Sequence, residues 1–432
     1  SKKTIDMASK SNVSVVIDLG TSKITALAGQ RTEEGKIEIL GSAKVPSSGI
    51  KRGVILNIDE AAASIDRVLS NLGDLPDIKI QKVDIAYAGQ PVKICEHRGY
   101  RFTSDEGVVS LSDVNELFSE AKNIKPDKDF KILHIIPQGF VIDEEIKEIN
   151  PVGITGRKIE AGYRLITVPE IHLANIERVM DKAGVKTGDI VFSPLATSDA
   201  VLTDDEKEMG VILLDMGAGT TKVSVYNEGI LIHTAVVPFG GDVISKDIKE
   251  GCSILPKWAE QLKVQYGEAL GDFADDQKIV TIPGHSGWEP KEISFKSLAF
   301  IIQARLEEII DNVYYHIEKS GIADQIGSGI VITGGTGKMQ NLVSLVKFRT
   351  GMDARLAFPV IRPAGVDKDF SFSDFYTALG LLKMSLEEKD PVPKEKRKRV
   401  KKKKEGGFSP WLKNVVQGVL DYVDDDEDVA LN

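Results

Sequence analysis

"VVIDLGTSK" runs from Val15 to Lys23, and "LLDMGAGTTK" from Leu213 to Lys222. Each is an apolar run that ends in an aspartate, passes at once into glycine and hydroxyl residues, and closes on a lysine. A strand that delivers a carboxylate to a tight Gly-Thr/Ser turn sets backbone N–H groups and hydroxyls beside a negative charge. The donors can cradle phosphate and the carboxylate can hold a hydrated Mg²⁺. One copy alone is also ordinary turn chemistry. Two copies point to duplicated α/β domains facing each other across a cleft, with one turn on each side.

A third glycine motif lies in "SGIVITGGTGKMQNL", Ser328 to Leu342: a strand, then Gly334-Gly335-Thr336-Gly337, then a helix start. Glycines there let a flat base approach the backbone, although a plain strand-to-helix turn has the same composition. Neither GxxxxGK[ST] nor a correctly placed GxGxxG is present, so the pattern is not that of a Walker loop or a dinucleotide fingerprint.

Composition narrows the classes. With 432 residues, 42% of them hydrophobic, the chain can bury more than one core, and about 150 residues per domain suggests roughly three. A formal charge of -10 argues against general nucleic-acid affinity. Cys95 and Cys252 are the only cysteines, too few for a disulfide framework or a CxxC site, which fits a reducing compartment. "SKKTIDMASKSN" at the start lacks the apolar stretch of a secretory signal, and no apolar run reaches membrane-spanning length. A soluble or peripherally attached protein is expected. His97, His134, His172, His233, His285 and His316 show no ligand spacing.

Strands and helices alternate along the chain. "NVSVVIDLG", "KVDIAYAG", "DIVFSPLA", "MGVILLDMG" and "SGIVITGG" read as buried strands. Ile58 to Leu72, Ile171 to Ala183 and Ser297 to Lys319 carry helical periodicity. The alternation predicts an α/β fold. Val92 to Pro169 interrupts it with strand-like "FTSDEGVVS", "FKILHIIPQGFVID" and "YRLITVP" around a helix over Ser112 to Ala121, and reads as an inserted α+β module. After Leu386 the composition turns to "EEKDPVPKEKRKRVKKKKEGG", a charged linker that ends the globular body.

Three such motifs in this order resemble the sugar kinase, Hsp70 and actin superfamily of ATP-binding proteins. Further stretches narrow the likeness: "HIIPQGFVIDEEIKEINPVGITGRKIEA" (His134 to Ala161), "SPLATSDAVLTDDEKEMGVILLDMGAGTTKVSVY" (Ser193 to Tyr226), "VVPFGGDVISKDI" (Val236 to Ile248), "AEQLKVQYG" (Ala259 to Gly267) and "IIQARLEEI" (Ile301 to Ile309). With them the chain resembles the FtsA family of bacterial cell-division actin homologues from Val13 to about Leu386. The resemblance implies an actin-like fold of two duplicated α/β domains around a nucleotide cleft. The first domain would comprise 13–91, 170–203 and 359–386, and the second 204–244 and 306–358. A self-association module (92–169), a small partner-binding subdomain (245–305), a basic linker (387–407), a membrane-targeting helix (408–423) and an acidic tail (424–432) would complete the chain.

The resemblance also implies site roles. Asp18 and Asp215 would hold Mg²⁺ through water, with Gly20, Thr21, Ser22 and Lys23 on one side of the ATP phosphates and Gly217, Ala218, Gly219 and Thr220 on the other. Gly240, Gly241 and Asp242 would line the same cleft. Glu260 and Lys263 would contact the ribose, although one helical turn apart they also read as an intrahelical ion pair. Gly334, Gly335 and Met339 would bound the adenine. Ser193 stands where many ATPases of the superfamily place an acidic or amide residue to orient water, which implies slow hydrolysis. Ala218 replaces a more usual glycine.

The implied partners are the FtsZ C-terminal peptide, other copies of the chain in a head-to-tail filament, anionic lipid on the cytoplasmic side of the cell membrane, and other division proteins. Arg305 is the candidate charge partner for the peptide, with a pair to Glu308 on its own helix as the other reading. A chaperone would need a β-rich substrate domain after the ATPase body, and a small-molecule kinase would need a catalytic base beside an acceptor pocket. Neither is visible in the sequence. In "FSPWLKNVVQGVLDYV", Ser409 and Pro410 start a helix. Its apolar half holds Trp411, Leu412, Val415, Val416, Val419, Leu420 and Val423, with Phe408 just ahead. That face is expected to lie in the membrane interface, behind the basic run Lys394 to Lys404.

Overall fold

The computed structural model describes residues 13–72, 80–104, 107–284, 287 and 289–389. Both Asp-Gly stretches form the central strand of a five-stranded sheet. The first sheet runs Lys186–Phe192, Lys82–Tyr87, Ser14–Leu19, Lys23–Arg31, Ile37–Pro46. The second runs Ile230–Val237, Thr221–Asn227, Val211–Met216, Ile330–Thr333, Ala354–Leu356. In each, the central strand turns back through an antiparallel meander on one side and pairs in parallel on the other with a later strand, which pairs in parallel with a further one. The repeated sentence in the sequence is therefore a repeated topology.

Both central strands are buried along almost their whole length, because helices or the opposite half cover both faces. Ile58–Ser70 and Glu170–Lys182 pack on the outer face of the first sheet, around Ile17, Ile65 and Val179. Asn57 caps the former by accepting from the Asp59 and Glu60 amides. On the second sheet, Gly241–Cys252, Pro256–Tyr266, Phe295–Lys319 and Leu342–Thr350 close over Ile212, Leu214 and Ile332. The inner faces share one core: Val16 and Leu27 of the first sheet and Leu213, Tyr226 and Val331 of the second belong to the same cluster as helices Ser193–Val201 and Phe372–Lys389.

Between the first sheet's strands lies a separate four-stranded sheet, ordered Lys93–Phe102, Lys158–Pro169, Phe130–Ile142, Ile146–Glu148, with helix Leu111–Lys122 packed on it. The stretch "FTSDEGVVS" is not a strand. Phe102 ends one, the described residues after it make only an isolated bridge from Val108 to Thr155, and Ser110 is already the cap of the next helix. A capping box between Ser110 and Asp113 decides that segment in favour of a helix start.

Three helices run across expected boundaries. Gly241–Cys252 runs unbroken through 244/245, and Phe295–Lys319 through 305/306. The last helix continues past Leu386 to Lys389. The linker after 389, the helix expected over Phe408 to Val423 and the acidic tail lie outside the described residues. Among the described residues no helix is long and apolar enough to cross a membrane.

Helix Phe372–Lys389 meets helix Ser193–Val201 at Gly380, where an added β-carbon would stand 1.7 Å from the Ala196 carbonyl oxygen. The two helices would have to separate within a close-packed core. Gly380→Ala is expected to lower unfolding stability by about 2 kcal/mol or more, read by urea denaturation.

Candidate functional site

The two Asp-Gly turns open onto one cavity of about 530 Å³ between the sheets. Asp18, Gly20, Thr21, Ser22 and Lys23 line one wall, and Asp215, Gly217, Ala218, Gly219 and Thr220 the other. The walls nearly touch at the turns: a β-carbon on Gly219 would fall 2.6 Å from Thr21 Oγ1. Each aspartate sits near the end of its central strand, opposite a meander residue, with Asp18 facing Thr25 and Asp215 facing Lys222.

Gly240 and Gly241 lie behind the second turn rather than on the cavity wall. The Gly241 amide donates to Gly217 O and the Asp242 amide to Ala218 O, both at 2.9 Å, so the start of helix Gly241–Cys252 buttresses the turn. Asp242 itself lines the cavity, and burial raises its pKa above the ordinary carboxylate value despite nearby Lys263. Thr336 Oγ1 donates to Gly217 O at 2.9 Å, tying the third glycine motif to the same turn. Gly334 and Gly335 line the cavity beside Met339. Gly334 has φ +89°, and a β-carbon there would lie 2.3 Å from Met216 O, so only glycine fits the exit of that strand.

Glu260 and Lys263 form the intrahelical ion pair, at 2.7 Å, and also line the cavity. Lys263 also donates to Gly241 O at 2.9 Å. Arg305 is away from the cavity lining. Its guanidinium bonds Asp247 through Nε at 2.5 Å and Nη2 at 3.1 Å, and bonds Glu308 through Nη1 at 2.5 Å. The intrahelical pair with Glu308 is thus present, and Asp247 is a second partner. The residues Phe408, Trp411, Leu412, Val415, Val416, Val419, Leu420 and Val423 fall outside the described part.

Several cavity residues escaped the sequence reading. Lys222 donates to Asp215 at 2.8 Å, and the fields of Asp215 and Asp18 outweigh its burial and keep its pKa above the ordinary lysine value. Its signal was present, since a lysine closes each repeated stretch. Asp374 and Lys338 had none, because 36 residues separate the pair in the chain. Ser193 opens helix Ser193–Val201 at the cavity, and its buried Oγ has no hydrogen-bond partner among the described residues.

The donor set suits a polyanion carried with a hard cation: paired carboxylates from opposite walls, glycine turns and ammonium groups. No group of three or more His, Cys, Asp or Glu that could hold a metal by themselves occurs among the described residues. Asp18 carries the electrostatic cost. Burial, with Asp215 adding to it, raises its pKa to about 6 against the opposing pull of Lys222 and Lys23.

Between pH 4 and 6 the unfolded chain therefore ionises Asp18 while the folded protein still holds the proton, so stability falls as pH rises through this window and the loss persists above it. Because the side chain keeps some contact with the cavity, the cost at pH 7 is about 2 kcal/mol. Asp18→Asn is expected to stabilise the ligand-free protein by that order at pH 7 and not at pH 3.5, measured by urea unfolding.

Comparison with known proteins agrees with this architecture. The profile described as "Cell division protein FtsA" matches residues 212–380, and that of the "SHS2 domain inserted in FTSA" matches 89–167. The chain is 33% identical to the cell division protein FtsA of Pseudomonas aeruginosa over 80% of its own length and 82% of that protein's. It is 31% identical to the FtsA of Neisseria meningitidis over 92% and 97%. Among solved structures, the PilM-PilN type IV pilus biogenesis complex superposes with a TM-score of 0.61 at 15% identity, covering 86% of this chain and 98% of that one. MreB 5 of Spiroplasma citri bound to AMPPNP gives 0.54 at 14% identity, covering 86% and 95%. These show an actin-like fold. The relatives match along most of their length and the profiles cover both the second half and the inserted module: the chain belongs to the FtsA family of cell division proteins.

Proposed function

We propose that this chain binds ATP with Mg²⁺ in the cleft, polymerises head to tail on the cytoplasmic face of the cell membrane, and tethers FtsZ filaments there during assembly of the division ring. The observation that carries the reading is the convergence of two Asp-Gly turns from topologically equivalent sheets on one cavity. In this assignment Asp18 and Asp215 hold Mg²⁺ through water. Gly20 to Lys23 and Gly217 to Thr220 hold the phosphates, Glu260 and Lys263 the ribose, and Gly334, Gly335 and Met339 the adenine. Mg²⁺ supplies charge neutralisation for the phosphates. The MreB 5 structures bound to ADP and AMPPNP are consistent with nucleotide use on this fold. Ser193 is neither acid nor amide, which supports slow hydrolysis at most.

The inserted module supports self-association. Its strand Lys93–Phe102 lies at a sheet edge with Tyr100 and Phe102 exposed, and an open edge invites a second chain. A heterologous contact that does not close builds a filament. Within the expected partner-binding subdomain, Val264, Phe273, Ile279 and Phe300 are exposed apolar side chains, of the kind that could receive the FtsZ C-terminal peptide. There Arg305 would exchange Glu308 or Asp247 for a peptide carboxylate. The segment Phe408 to Val423 supplies the lipid anchor through its apolar half.

Asp215→Ala is expected to weaken MgATP binding at least tenfold in titration calorimetry, and unchanged affinity would reject the cleft assignment. Truncation after Lys389 is expected to leave ATP binding intact and abolish co-sedimentation with anionic liposomes. Full pelleting of the truncated protein would remove the tail from the anchoring role.

A further inference from the structure

Asp374 is a cavity carboxylate that the phosphate, ribose and base assignments leave unused. It sits in the first turn of helix Phe372–Lys389, where unpaired N–H groups favour an anion. Three ammonium groups converge on it: Lys23 at 2.5 Å, Lys44 at 2.7 Å and Lys338 at 3.1 Å. Burial alone would raise its pKa, yet the three lysines hold it well below the usual carboxylate range. The carboxylate is charged at any physiological pH.

The three lysines differ in where they come from. Lys23 and Lys44 stand on neighbouring strands of the first sheet, on which helix Phe372–Lys389 also packs. Those two pairs move with one half. Lys338 belongs to the 3-10 turn Thr336–Lys338, directly after strand Ile330–Thr333 of the second sheet. Its bond to Asp374 therefore joins opposite walls of the cavity. Other bonds between the halves, such as Tyr226 Oη to Ser198 Oγ at 2.8 Å, Gln90 Nε2 to Val236 O at 3.1 Å and Tyr376 Oη to Ala357 O at 3.0 Å, involve none of the residues of this turn. Parting the walls at Thr336–Lys338 requires the Lys338 bond to break, while the other two bonds to Asp374 persist.

We infer that Asp374 is a positioning residue that latches the turn Thr336–Lys338 to the first half through Lys338, and so sets how fast nucleotide enters and leaves the cleft. The inference rests on the nucleotide reading above and adds its gate. Nucleotide in place does not need the latch for affinity, because Asp374 is itself an anion; the latch acts on passage.

The test is stopped-flow exchange of a fluorescent ATP analogue with Mg²⁺ on the full chain. Asp374→Asn and Lys338→Met are expected to raise association and dissociation rates together by roughly fivefold, the scale of a partly exposed ion pair. The double variant should be no faster than either single one, and Lys44→Met should match the parent. In nucleotide-free protein, amide hydrogen exchange across residues 336–339 should quicken in the first two variants only. Equal acceleration by Lys44→Met would show a general charge effect and overturn the latch. So would parental rates and parental amide exchange in Asp374→Asn and Lys338→Met. If the parent fails to bind the analogue, the nucleotide reading falls, and the amide exchange still decides whether the halves are latched.

Discussion

One ammonium group, that of Lys222, lies against Asp215 and in the field of Asp18, two carboxylates that belong to different sheets. Two such charges aimed into one partly buried space repel, and the repulsion grows as water is excluded. A covalently attached cation relieves it, and strand register delivers that cation. Lys222 is the direct partner of Asp215 across the antiparallel pair, and a slip of one residue would turn it to the other face.

The balance is incomplete. Asp18 retains a raised pKa because its burial outweighs the pull of Lys222, which it shares with Asp215, and of Lys23. Lys23, the counterpart that closes the first repeated stretch, is drawn toward Asp374 instead. The cavity therefore has ammonium groups arranged around an underserved carboxylate, which suits a ligand that brings negative oxygens and a small dication as a unit.

Much of this was readable from the chain because the decisive contacts are local in sequence. Asp18 and Gly20, or Asp215 and Gly219, lie within one strand and its turn, where composition and conformation are tightly coupled. Strand-like "FTSDEGVVS" misled because two valines outweighed a serine cap, which acts through hydrogen bonds rather than periodicity. Gly240 and Gly241 came only from the family resemblance, and in the structure the Gly241 and Asp242 amides bond the carbonyls of the second turn. The convergence on Asp374 was illegible, because it assembles residues from three distant segments that carry no mutual spacing.

Helix Phe372–Lys389 packs against strands Ser14–Leu19, Lys23–Arg31 and Lys82–Tyr87, elements made hundreds of residues earlier on the chain. During synthesis the amino-terminal sheet thus emerges with one face bare, and it stays bare until the ribosome has released almost the entire body. The strands of the second sheet and the helices over its outer face lie between 211 and 356, yet its inner face shares the core that the same last helix completes. The outer face of each sheet can be covered as it is made, whereas the shared inner core must wait for the last helix. For a chain built from two copies of one topology, the strands made first wait longest for that cover and most need protection from other nascent chains.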